Sequence, residues 1–380
     1  MKPIPFNRPF LAGNELEYIR EAVRSGHIAG DGLFTRKCHR FFEERYAIRK
    51  ALLTTSCTAA LEMAALLLEI RPGDEVIAPA FAFVSTVNAF VLRGAKIIFA
   101  DSLPDHPNMD VARLEALISP RTRAIVCLHY AGMACNMDAL LQLSEKHSIP
   151  LVEDAAHAIE STWKGNRQLG TIGHFGTFSF HETKNLIAGE GGLLSVNDHR
   201  FISRAEIIRE KGTNRPAFFR GETDKYEWVD LGSSFLPSEL TAAFLYAQLE
   251  KTDSIRDERI ASWKRYAQLL SSLEKEGLLK FPVVPDGAVN NGHIFYLVCS
   301  SKTIRDELIL SLRKQDIHAV IHYQALHRSI YYREKHDGRQ LPNAEKYSDC
   351  LVRLPLFHGI TEEEQERVAE AVSAFFVSRS

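Results

Sequence analysis

From about residue 50 to residue 200 the chain alternates short β-branched runs with runs whose apolar residues recur at three and four positions. Alternation of this kind is the signature of strands joined through crossover helices, and it confines the stretch to an α/β architecture with a largely parallel sheet. Strands are expected over 51–53, 74–80, 96–101, 123–130 and 150–154, with helices over 57–70 and 136–147 that lay one apolar stripe on the sheet. Beyond Asp154 the runs 176–181 and 191–196 are separated by a stretch too short for a helix, so the sheet should become mixed there. A helical pattern over 237–276 meets few breakers before Gly277 and would bridge to a second unit. That unit should hold strands over 294–300 and 318–323 and a last helix opened by Thr361, with Glu364 completing a capping box. The expected division is a large domain over 1–250 and a smaller C-terminal α+β domain over 251–380.

Composition narrows the function. A formal net charge of -2 offers no broad basic surface to a phosphate backbone, so nucleic acid is not an expected partner. The most apolar window, 76–92, is interrupted by Pro79, Ser85, Thr86 and Asn88, which argues against a membrane span. The first ten residues lack the continuous apolar stretch of a secretory signal, and a cytoplasmic location is expected. The 6 cysteines are scattered, with no C-x-x-C pair and no ligand-like spacing to histidine, so they read as reduced thiols and no metal is expected.

In open α/β sheets ligands bind beyond the carboxyl ends of the strands, and three polar clusters fall there. The first, Thr54-Thr55-Ser56-Cys57-Thr58, precedes a helix, where hydroxyls and free amides suit a phosphate; simple capping by Ser56 or Thr58 would explain the same residues. The second is the pair Glu153-Asp154, of which only one can face the crevice because neighbouring strand residues point to opposite faces. A carboxylate there suits a cationic ring nitrogen, and a strand-end acid capping a turn is the alternative. The third, Ser179-Phe180-His181-Glu182-Thr183-Lys184-Asn185, ends in a glycine-bounded loop. Alone, Lys184 would be a surface amine; beside an anion site and a buried carboxylate it gains a role, because a lysine amine forms Schiff bases with pyridoxal phosphate (PLP).

These segments, with Ser-Cys-Thr-Ala-Ala-Leu at 56–61, Ala-Pro-Ala-Phe-Ala-Phe-Val-Ser-Thr at 78–86 and Glu-Asp-Ala-Ala-His at 153–157, give the chain a resemblance to the sugar aminotransferase family of fold type I PLP enzymes. The resemblance runs from the Asn7 region to Leu354-Pro355-Leu356 and implies that fold: a mostly parallel central sheet flanked by helices, plus a small C-terminal domain. It implies Lys184 as the catalytic lysine, Asp154 as the partner of the ring nitrogen and Phe83 as the aromatic over the ring, although a core phenylalanine would look the same. It implies Cys57, Thr58 and Ser179 as phosphate ligands, His157 at the ring's hydroxyl edge, and Asn214 as a residue reaching the phosphate of a neighbouring subunit, which would make a homodimer with shared active sites; a turn residue after Gly212 is an equal reading of Asn214. His129, His181, Tyr323 and His327 lie in segments similar to substrate-facing parts of the family. Arg220 would meet a diphosphate or the amino donor's carboxylate. The implied acceptor is a dTDP-linked 4-keto-6-deoxy sugar and the implied donor L-glutamate. Sugar dehydratases on this fold replace the lysine that is present here, and no G-x-G-x-x-G run supports an NAD-dependent oxidoreductase. A non-catalytic PLP-binding regulator would keep the same motifs.

Overall fold

The computed structural model describes residues 2–379. The large domain is built on strands β1 (Lys50–Thr54), β2 (Glu75–Pro79), β3 (Lys96–Ala100), β4 (Thr122–Leu128) and β5 (Leu151–Asp154), then a short hairpin of β6 (Thr162–Trp163) and β7 (Arg167–Gln168), then β8 (Phe175–Ser179) and β9 (Gly192–Val196). Seven of these form one sheet in the order β1-β9-β8-β5-β4-β2-β3. The pairs β2/β3, β2/β4, β4/β5 and β5/β8 are parallel, and β9 alone runs against its neighbours β8 and β1. The expected mixed sheet is therefore present, and its one reversed strand comes after the segment too short for a helix.

Alternate residues of each strand feed two cores. Val76, Val126, Val152 and Leu194 pack with the helix Cys57–Leu67 on one face, and Ile77, Ile125, Leu151 and Leu193 pack with Phe34, Phe42 and Leu140 on the other. Burial of each such aliphatic side chain stabilises the fold by about 1.5–3 kcal/mol, and covering both faces is what a parallel sheet requires.

The continuous helix expected over 237–276 is broken into Glu239–Leu249, Thr252–Leu269 and Ser271–Lys275. The break comes where burial changes: the first piece is apolar on most sides and lies under the large domain, while the second is mostly charged, and Lys251 between them leaves helical geometry at φ -111° and ψ 12°. The small domain carries β10 (Tyr296–Val298), β11 (Val320–Ile321) and β12 (Leu351–Arg353) in the order β10-β12-β11, all antiparallel. β10 and β11 are shorter than the expected strands because only the residues opposite the three-residue β12 find a ladder partner. Thr361 and Glu364 form the expected capping box on the helix Glu362–Val377. The N-terminal segment joins this unit: Ile4 pairs with Ile317 and sits in the core of the small domain.

Candidate active site

Since β1, β2, β4, β5 and β8 point the same way, the loops at their C-terminal ends converge at one edge of the sheet. A cavity of about 480 Å³ opens there, walled by Ser56, Thr58, Phe83, Asp154, Lys184 and Tyr323. Cys57, His157, Ser179 and His181 also line it.

At the end of β1 the chain turns through Ser56, whose extended backbone and hydroxyl cap the helix Cys57–Leu67 by accepting from the Ala59 amide at 3.0 Å. The first amides of that helix have no acceptor within it, and its dipole favours an anion in front of it. The Thr58 hydroxyl faces the cavity and donates to Ser85 at 2.8 Å. Gly192, the first residue of β9, presses on this turn so closely that a Cβ would lie 2.3 Å from the Ser56 carbonyl carbon and 2.4 Å from the Cys57 nitrogen. Only glycine lets β9 pass behind the cradle.

Asp154 ends β5 and is 4% exposed. Its Oδ2 accepts from the Thr86 hydroxyl at 2.6 Å and its Oδ1 from the Ala156 amide at 3.1 Å. Burial raises its pKa; the Thr86 and Ala156 hydrogen bonds, and more weakly the nearby Lys184 charge, act in the opposite direction. Such a carboxylate is ready to pair with a cation placed in the cavity. Glu153 points the other way and accepts from the amides of Gly170, Ile172 and Gly173 at 2.6–2.8 Å. The two readings of the acid pair are thus divided between its members, and Asp154, through Ala156, carries a little of both.

Lys184 lies just beyond β8 on a loop pinned at several points. Its amide donates to the His181 carbonyl at 2.9 Å, Ala188 returns to Phe180 at 2.7 Å, and the Asn185 side chain donates to the Asn291 carbonyl at 3.0 Å. Burial first, and the Arg353 charge as well, bring the Lys184 ammonium down to about 8, against the pull of Asp154. A lysine so placed is a free amine far more often near neutral pH than an ordinary lysine, which favours use as a nucleophile and proton carrier.

Phe83 is 54% exposed at the cavity mouth, with its ring 5.9 Å from that of Tyr323. His157 is buried; its Nδ1 accepts from the Ala131 amide at 3.3 Å, which leaves the proton on Nε2, 3.1 Å from the Tyr323 oxygen. Burial holds its pKa well below the usual histidine value, so the ring is neutral.

Four of the expected residues stand apart from this cavity within the chain. His129, the residue after β4, is fully buried on the Glu153 side, with Nε2 2.9 Å from that carboxylate and Nδ1 accepting from the Cys135 amide; its neighbour Leu128 lines the cavity, and successive residues point opposite ways. The fold also gathers Cys127, His129 and Cys135 with ligand atoms within 4.8 Å of one another, a proximity that their sequence spacing does not suggest. His327 is buried against Glu345 at 3.0 Å. Arg220 spends its guanidinium on Glu206 and Glu222, and Asn214 ties its own loop together through Lys225 and Glu227. Conversely, Thr86, Ser85 and His322 belong to the site although sequence reasoning does not single them out. Thr86 has a signal, one helical turn beyond Phe83 in the same motif; His322 comes from a distant strand end that no local pattern connects to the loop of Lys184.

The donor set fits PLP group by group: hydroxyls and helix amides for its phosphate, Asp154 for its ring nitrogen, the open Phe83 face for its plane and Lys184 for its aldehyde. The match to known proteins agrees. Residues 9–373 match the model of the DegT/DnrJ/EryC1/StrS aminotransferase family. The chain is similar to the solved structure of an aminotransferase, TlmJ, from Streptoalloteichus hindustanus, with 28% identity, a TM-score of 0.91 and 100% of both chains covered. It is similar to the PLP form of Spr1654 of Streptococcus pneumoniae, described as a sugar aminotransferase, with 25% identity, a TM-score of 0.91 and 99% of each chain covered. A 3-amino-5-hydroxybenzoic acid synthase is 26% identical, with a TM-score of 0.89 and 100% of both chains covered. With a family match that runs nearly end to end and a cavity that suits the cofactor, the chain belongs to the DegT/DnrJ/EryC1/StrS aminotransferase family and uses PLP.

Proposed function

We propose that the chain transfers the amino group of L-glutamate to the C4 ketone of dTDP-4-keto-6-deoxy-D-glucose, giving dTDP-4-amino-4,6-dideoxy-D-galactose and 2-oxoglutarate. The product would serve cell-surface polysaccharide synthesis, such as enterobacterial common antigen or lipopolysaccharide, and the enzyme would work in the cytoplasm as a homodimer. The observation that carries the reaction class is Lys184, a buried amine lowered to about 8 in the same cavity as the Asp154 carboxylate. The choice of acceptor is supported by Lys211-Gly-Thr-Asn-Arg215, Phe219-Arg-Gly-Glu-Thr-Asp-Lys-Tyr226 and His129-Tyr-Ala-Gly132, which resemble dTDP-4-amino-4,6-dideoxygalactose transaminase. No helix among the described residues is long and apolar enough to cross a membrane.

When bound, PLP supplies an electron sink conjugated to the carbon that carries the amine. Asp154 holds the proton on the ring nitrogen by remaining an anion beside it. Phe83 fixes the ring plane, and Ser56, Cys57, Thr58 and Ser179 hold the phosphate end. Lys184 takes the proton from the donor carbon and returns one to the sugar carbon, and the face from which its amine reaches C4 sets the stereochemistry.

The test is the visible spectrum of the PLP-loaded protein during addition of L-glutamate and then of dTDP-4-keto-6-deoxyglucose. Bleaching by glutamate and recovery with the sugar would support both halves. Bleaching without recovery would reject this acceptor and keep the aminotransferase, with a UDP-linked or other keto sugar tried next. A band indifferent to every amino donor would leave a PLP-binding regulator.

A further inference from the structure

Lys184 and His157 reach the cavity from two different loops, and the segment 290–294 that leads into β10 holds both. Asn291 donates from its side chain to the carbonyls of His157 and Ile159 at 2.8 and 2.6 Å, and its own carbonyl accepts from the Asn185 side chain at 3.0 Å. Two residues on, the His293 ring fills the space between the two loops. Its Nδ1 is 2.8 Å from Asn185 Oδ1, and its centroid is 4.6 Å from that of the His157 ring. Both His293 and Asn185 are buried. The segment is itself fixed, since Arg259 and Trp263 of the helix Thr252–Leu269 donate to the carbonyls of His293 and Ile294 at 2.9 and 3.0 Å.

The roles of donor and acceptor in this contact follow from the neighbours. The Asn185 amide directs an N–H to Asn291, so its oxygen faces His293 and Nδ1 carries the ring proton. Burial above all holds the His293 pKa well below the usual histidine value, so the ring is neutral and Nδ1–H is its one N–H. A buried polar chain is a costly way to hold a loop, because an apolar pair of the same shape would hold it with no donor or acceptor to satisfy. What the hydrogen bond adds is direction, since it weakens steeply as the donor–acceptor line bends. The residue aimed in this way is Asn185, bonded directly to Lys184, and an amine that must meet an aldehyde tolerates little misplacement.

We propose that His293 is a positioning residue for Lys184: its Nδ1–H, acting through Asn185, holds the lysine's loop in a fixed relation to the His157 wall of the cavity, against which its ring packs. The assignment rests on the reading of Lys184 as the lysine that captures PLP and is independent of the amino donor and the sugar. His293→Phe keeps a flat ring against His157 and removes the donor. His293→Asn keeps an N–H at the same number of bonds from Cβ and removes the ring. Covalent capture of PLP by cofactor-free protein, followed by stopped-flow absorbance at saturating PLP, should slow by about ten-fold or more in His293→Phe and stay within about three-fold of the unaltered rate in His293→Asn. Pyridoxine 5'-phosphate has an alcohol where PLP has its aldehyde, so its dissociation constant reads the pocket without the lysine and should be the same in all three proteins. Asn185→Ala cuts the bond from its other end and should slow capture as His293→Phe does, which keeps the test decisive if the His293→Phe variant does not fold. Unslowed capture in His293→Phe or in Asn185→Ala, capture as slow in His293→Asn as in His293→Phe, or a parallel loss of pyridoxine phosphate binding would each overturn the assignment. Capture that persists in Lys184→Ala would overturn the reading of the lysine and this assignment with it, whereas capture that needs Lys184 and ignores His293 overturns this assignment alone.

Discussion

Glu153 and Asp154 are consecutive residues whose carboxylates serve opposite faces of one sheet, the first gripping three backbone amides and the second facing the cavity. Their substitutions should therefore fail in different ways. Asp154→Asn should lower amino transfer by about 10²-fold or more with only a small loss of stability in urea unfolding, since the amide removes the charge proposed to hold the ring-nitrogen proton while its oxygen can still accept from Ala156 and the Thr86 hydroxyl can rotate to accept from its NH2.

Glu153→Gln should do the reverse. Replacing a charged acceptor of three buried N–H groups with an amide that brings its own donors should cost about 2–4 kcal/mol in urea unfolding. Activity per folded molecule, measured well below the transition, should change far less than in Asp154→Asn.

Lys184→Ala should reduce turnover by about 10³-fold or more with an unaltered circular dichroism spectrum, because both the proposed attachment point and the proposed proton carrier go with the amine. Full activity in this variant would overturn the reaction class.

The pKa of Lys184 sets a pH dependence. Below about 8 the group is mostly ammonium and cannot add to an aldehyde; above it the free amine dominates. The rate at which cofactor-free protein takes up PLP should rise between pH 7 and 9 and level off, whereas an unperturbed lysine, near 10.4, would keep gaining through that range. Stopped-flow absorbance across pH 6.5 to 10 distinguishes the two.

Gly192→Ala should weaken PLP binding and cost about 1–3 kcal/mol, since the added methyl would have to displace the backbone of Ser56 and Cys57. Equilibrium dialysis of PLP against the variant checks the first effect, and thermal unfolding the second.

Much of the large domain is legible in the sequence because strand and helix periods differ, and each of the seven strands of its main sheet lies within a residue or two of its expected place, whereas the two-residue strands of the β6/β7 hairpin are too short to show a period. That Ser56, Asp154 and Lys184 line one cavity is legible for a related reason: each sits at or just beyond the C-terminal end of a strand, and parallel strands bring those ends to one edge of the sheet. The small domain is harder to read. β12 is three residues long and continues into Leu354-Pro355, so no alternating pattern announces it. His129 shows the limit of local resemblance, since a residue near a strand end can turn under the sheet as readily as over it. The break at Lys251 is hidden because a helix that changes its packing partner keeps its propensity.

The reversed direction of β9 also bears on how such an enzyme can diversify. Ser179 and Gly192 are paired across β8 and β9, so the segment carrying Lys184 leaves the sheet and returns to it at adjacent points. Its first half is clamped through Asn185 to Asn291, while the stretch from Gly189 to Gly191 is tied mainly to the base of its own loop. On the proposed roles, residues gained or lost in that second half would reshape the rim of the cavity while the clamp on the first half kept the lysine in register.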